Sequence, residues 1–141
     1  MFFAKLHPLL VHFPMALLFS GTLFQLFGGI QKDETILTAG GFNIYFGFWT
    51  MFIVMIVGGL ALPDLEVEED LAKDFLSSHI RYAFFILITF ATWIVLQKFR
   101  GKLWADAAHY LLLAFGMATV VMTGFYGGEL VYRFGFPSQT F

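Results

Sequence analysis

No charged residue occurs between positions 35 and 63, a run of apolar, aromatic and glycine residues. Crossing about 30 Å of hydrocarbon takes roughly 20 residues of α-helix at about 1.5 Å each. Three further apolar segments, at about 6–29, 75–97 and 103–132, meet the same requirement. Lipid offers backbone groups no hydrogen-bond partners, so segments of this kind have to be closed helices. The chain is 59% hydrophobic and 13% charged, more apolar surface than a soluble domain of 141 residues can hide. Short connections make consecutive helices antiparallel neighbours. The expectation is therefore an all-α, integral membrane four-helix up-down-up-down bundle, one domain over 1–141, with helices at about 6–29, 36–62, 75–97 and 103–132.

The rest of the composition narrows the chemistry. Cysteine is absent, which excludes a disulfide framework, an iron–sulfur cluster and a covalently attached c-type haem. A net charge of -2 gives no reason to expect nucleic acid. The first segment is no signal peptide by pattern: Lys5 is its one early cation, and no small-residue cleavage site follows. Pro8 suits a first helical turn. Pro14 lies inside the helix, should kink it, and frees the carbonyl near Leu10. The twenty phenylalanines read first as a lipid-facing coat. The glycines, among them Gly58, Gly59, Gly127 and Gly128, read first as close helix packing, with room for a macrocycle as the alternative. Met51 and Met55 read as core. No internal repeat is evident, nor any nucleophile motif or phosphate-cradling loop.

Orientation comes from the loops. Lys98, Arg100 and Lys102 lie between the third and fourth segments, whereas Asp64, Glu66, Glu68, Glu69, Asp70 and Asp74 crowd the preceding connection. The positive-inside rule puts the basic loop in the cytoplasm and both termini in the periplasm. The acidic stretch reads as a solvated loop, with a short surface helix as the alternative.

His7, His12, His79 and His109 fall in or at the edges of these apolar segments, where an ionisable side chain is kept at a cost and usually for function. The first and third segments run in the same direction, and His12 and His79 fall within roughly 3 Å of the same depth at 1.5 Å per residue. Those helices are diagonal in a simple bundle, which leaves room on the axis for a cofactor held by facing side chains. Two imidazoles across that axis can supply the two axial ligands of a haem b. His7 and His12 are five residues apart and point about 140° from one another, so only one need face inward. His12 is preferred because it is deeper; His7 is the alternative ligand, or serves a second site.

His109 sits near the inner start of the fourth segment, roughly 15 Å or more from the other level. With Asp106 on the same face, it suits a proton or quinone site, a second haem, or a plain interfacial pair that orients the helix end. Haem propionates need cations near the water boundary, and Arg81 and Arg133 are at a plausible level. Their ordinary readings are snorkelling for Arg81 and an i,i+4 pair with Glu129 for Arg133.

The opening LHPLLVHFPMALLF (residues 6–19) and the closing GFYGGELVYRFG (residues 124–135) resemble a bacterial four-helix membrane family catalogued as domain of unknown function 2231. The likeness brackets nearly the whole chain. It implies an inner-membrane protein whose relatives act as partners or fusions of redox modules such as Rieske and cytochrome c domains. It also implies that His7, His12, His79 and His109 occupy the family's histidine positions.

The expected function is a b-type haem subunit moving electrons between the quinone pool and periplasmic redox partners, in a larger respiratory or photosynthetic complex and in contact with lipid. A second haem, a bound quinone and a homo-oligomer remain open. The competing readings are a cofactor-free structural subunit and a small proton-linked carrier.

Overall fold

The structure, a computed structural model, describes residues 2–65 and 67–137. Glu66, counted above in the acidic connection, lies outside the described residues. Among those residues the chain is all-helical, with α1 (Phe2–Leu10), α2 (His12–Gln31), α3 (Glu34–Ala61), α4 (Asp70–Leu96) and α5 (Leu103–Tyr132). Short 3-10 turns occupy Leu62–Asp64 and Gln97–Phe99. Four stretches, Phe2–Gln31, Glu34–Ala61, Asp70–Phe99 and Leu103–Tyr132, are long and apolar enough to cross a membrane.

The first of these is two helices with a break at Val11. Pro14 has no N–H for the Leu10 carbonyl and its ring crowds that oxygen, so the ladder cannot run through. The Val11 N–H still donates to the His7 carbonyl at 3.0 Å, which keeps α1 and α2 joined as one bent span. The turn into α3 is set by Lys32, in the left-handed region at φ 56°, and by Asp33. Asp33 Oδ1 accepts from the N–H groups of Thr35 (2.8 Å) and Ile36 (3.1 Å) and so caps α3. Helix α4 begins at Asp70, several residues before the apolar run starts. The stretch expected as a solvated loop is thus part turn, part irregular chain and part first helical turn, where Lys73 pairs with Asp70 at 2.9 Å.

Lipid is as apolar as a leucine side chain, so helices in it associate through close packing rather than through the hydrophobic effect. Small residues do that here. A Cβ on Gly21 would stand 2.8 Å from Ile44 Cγ1 and 3.0 Å from the Gly40 carbonyl oxygen. One on Gly28 would meet the Leu37 backbone nitrogen at 2.9 Å. Residue numbers fall on α3 as they rise on α2, so this hairpin is antiparallel. In the second hairpin, a Cβ on Gly116 of α5 would stand 2.8 Å from the Phe90 ring of α4. Tyr110 of α5 reaches Gly29, and Met15 reaches Gly124, which seats α2 against α5. Leu18, Ile44, Ile86, Phe90 and Leu113, each at most 1% exposed, fill the centre. Phe42, Phe46, Trp49 and Phe52 cover the outer side of α3 at 44–68% exposure, the surface acyl chains would solvate.

Candidate functional site

Helix α1 packs against α3, and His7 meets the α3 backbone there. Its Nδ1 lies 3.1 Å from the Val54 carbonyl oxygen. His79, in the third turn of α4, meets α5 in the same way, with Nδ1 3.1 Å from the Thr123 carbonyl oxygen. A carbonyl only accepts, so in both rings Nδ1 carries the proton and Nε2 keeps its lone pair. The two rings face one another across the bundle, centres 6.1 Å apart and planes at 88°.

Glycine makes both placements possible. A Cβ on Gly58 would stand 2.8 Å from His7 Cε1, and one on Gly127 would stand 2.9 Å from His79 Cε1. Each imidazole therefore sets its Nδ1–Cε1 edge against a helix that has no side chain at that point. Around the pair is a cavity of about 580 Å³, walled by Met15, Met55, Ile80, Ala83 and Phe84 and floored by the glycines. That volume is within the roughly 300–1,000 Å³ of small-molecule and cofactor sites. Among the described residues the lining contains no Lys, Arg, Asp or Glu; its polar groups are His7, His12, His79, Thr123 and Tyr132.

A family model described as a predicted membrane protein (DUF2231) matches residues 4–140. The chain belongs to that family. No curated protein and no solved structure matches it.

In this family member the inward histidine of the first span is His7. His12 begins α2 just beyond the break, and its side chain is exposed at the cavity's edge. Depth favours His12, but the Val54 carbonyl and the clearance at Gly58 hold the His7 ring inside the cavity and leave the His12 ring at its edge. His109 is elsewhere. It is 1% exposed and packs on Trp93, ring centres 5.4 Å apart. Its Nδ1 lies 3.4 Å from Gln97 Nε2, an amide nitrogen that also donates to the Trp93 carbonyl at 3.0 Å. Asp106 does not close on His109; its Oδ1 takes Arg100 Nε and the Gly101 N–H, both at 3.3 Å. His109 Nε2 and Trp93 Nε1 have no hydrogen-bond partner among the described residues.

The arginines sit outside the cavity wall. Arg81 is exposed on α4. Arg133 pairs with Glu129 at 3.6 Å and lies over the rings of Phe134 (5.3 Å) and Phe75 (5.9 Å). The sequence reading counts Gly58 and Gly127 among glycines kept first for helix packing and second for room for a macrocycle; that each clears a histidine ring has no signal in the sequence.

Proposed function

We propose that the protein is a b-type haem subunit that carries electrons within a bacterial membrane complex, with His7 and His79 as the axial pair. The observation that carries the reading is the facing pair itself. Both imidazoles are locked by a backbone carbonyl at Nδ1 and keep Nε2 available inside an apolar cavity. Metal-bound histidines nearly always have their second nitrogen held in this way. Metal–nitrogen bonds of about 2 Å on both sides of one ion would put ring centres roughly 6 Å apart, close to the spacing seen. The donor set thus fits a haem. A haem held by two histidines has no open position and passes electrons without activating a ligand.

The chain's own residues supply the rest. Val54 and Thr123 orient the rings and fix the tautomer, and the surrounding Met, Ile and Phe side chains keep water from the metal position. The wall lacks cations, so propionates would have to leave it for the water boundary, with Tyr132 the lining residue nearest Arg133 in sequence. We place both termini and the acidic turn outside, because Lys98, Arg100 and Lys102 join α4 to α5 at the opposite end. Glu68, Glu69 and Asp74 then offer a cationic redox partner, of cytochrome c or Rieske type, an acidic landing surface. The electron source in this reading is the quinone pool.

One observation favours a second occupant: an uncharged wall suits a neutral lipophilic guest, such as a quinol head group whose hydroxyl donates to a bare imidazole Nε2. An absorbance spectrum decides between them. Protein purified from its own membranes should show a reduced Soret band and a sharp alpha band, and a positive pyridine haemochrome. Both should be lost or altered in His7→Ala and His79→Ala. A native preparation free of porphyrin would remove the haem reading and leave the neutral guest.

A further inference from the structure

The two hairpins repeat one another. Residues of the first helices correspond at one offset: 7 with 79, 13 with 85, 18 with 90, 25 with 97. Residues of the second helices correspond at another: 47 with 116, 50 with 119, 58 with 127, 59 with 128. The string G-x2-T-x7-G-G therefore occurs twice, starting at Gly47 and at Gly116. The sequence reading missed this because the intervening positions differ.

The contacts repeat with the residues. His7 donates to Val54 and lies on Gly58; His79 donates to Thr123 and lies on Gly127. Leu18 fills the space at Gly47, and Phe90 the space at Gly116. Phe13 meets Phe46 edge-on, and Phe85 meets Phe115 at the corresponding place. All six buried residues of α3 map onto buried residues of α5, from Gly40 on His109 to Ala61 on Leu130. Any antiparallel hairpin keeps a constant register. Nothing in that geometry requires the same imidazole, carbonyl and glycine at the same level in both. His12 corresponds to Phe84 and His109 to Gly40, so of the four histidines only His7 and His79 are duplicated.

We infer that the chain is an internal duplication of one histidine-bearing helix hairpin, and that the cavity is a two-fold site made of two equivalent halves. Each half is an imidazole, the carbonyl that holds its Nδ1–H, and the glycine that clears its ring. The first helices of both halves run the same way, so the relating axis lies along the bundle, as in membrane proteins built from parallel repeats. The ligand class that uses such a site is a flat metal macrocycle gripped identically from both faces. This last point rests on the haem reading; the equivalence of the halves does not.

Two measurements test it separately. In the full-length apoprotein in lipid nanodiscs, 15N-histidine NMR, assigned with His7→Gln and His79→Gln, should find both rings protonated at Nδ1 and bare at Nε2. Opposite tautomers at the two rings would overturn the equivalence. In a titration with hemin, the wild type should give a six-coordinate low-spin spectrum. His7→Ala and His79→Ala should each give a five-coordinate high-spin form that added imidazole returns to low spin. A low-spin spectrum that survives one substitution and not the other would overturn the two-fold site. Failure of the wild type to take up hemin would remove the macrocycle and the haem reading, while the NMR result would still judge the halves.

Discussion

Alanine at Gly127 would bring a methyl group 2.9 Å from Cε1 of His79, and at Gly58 one 2.8 Å from Cε1 of His7. In both cases the obstructed atoms belong to a side chain that can swing away, so the helices should stay packed while the ring leaves its carbonyl. The expected result for Gly58→Ala and Gly127→Ala is near-native thermal unfolding with hemin affinity lowered about tenfold or more, the range for losing the groups that orient a metal ligand. Unchanged affinity in both would mean that the rings need no such clearance. At this scale the sequence was partly legible. Helical arithmetic showed that His7 and His12 diverge and that one of them enters the bundle. Depth favours His12 there, because the size and direction of the kink expected at Pro14 follow from how the helices pack and are not written in the spacing. The pairing of His109 with Asp106 followed from spacing alone, but Arg100 and the Gly101 N–H are closer partners for that carboxylate.

The elements carry predictions of their own. Asp33 satisfies two N–H groups at the start of α3, and Asp33→Ala should cost about 1 kcal/mol in a detergent unfolding titration. Pro14→Ala would restore a donor for the Leu10 carbonyl and straighten α1 onto α2. Stability should hold or rise, while His7 moves off Val54 and hemin affinity falls; an unaltered low-spin spectrum in that variant would show that the bend does not position His7. Segment length was the clearest signal in the sequence, since the lipid interior demands it. The ends were less legible. Hydropathy drops at the charged residues 70–74, yet the helix runs on to Asp70, because water tolerates a helix whose polar side chains face it.

For the whole molecule, the bundle depends on how closely α2 approaches α3. Gly21→Val would press on the Ile44 backbone nitrogen, 2.9 Å from the new Cβ, as well as on its side chain. Backbone cannot step aside, so the loss should reach about 1–3 kcal/mol or more, read as a lower midpoint in the same unfolding titration. The cysteine-free sequence allows a clean test of orientation. Single cysteines at Lys73 and at Lys98 should react with an impermeant maleimide from opposite sides of the membrane, Lys73→Cys from outside. Labelling of both from one side would contradict the proposed arrangement of spans. Membrane class and helix number were legible because composition fixes them. The cavity was not, since it is defined by missing side chains at Gly58 and Gly127, and the duplication was hidden because most paired positions differ, Leu18 against Phe90 and Gly40 against His109 among them. Below the histidines the axis is closed by Leu18, Ile44, Ile86, Phe90 and Leu113, each at most 1% exposed. The chamber therefore has a packed base: a guest held between the histidines sits at one end of the bundle, above side chains that fill the axis beneath it.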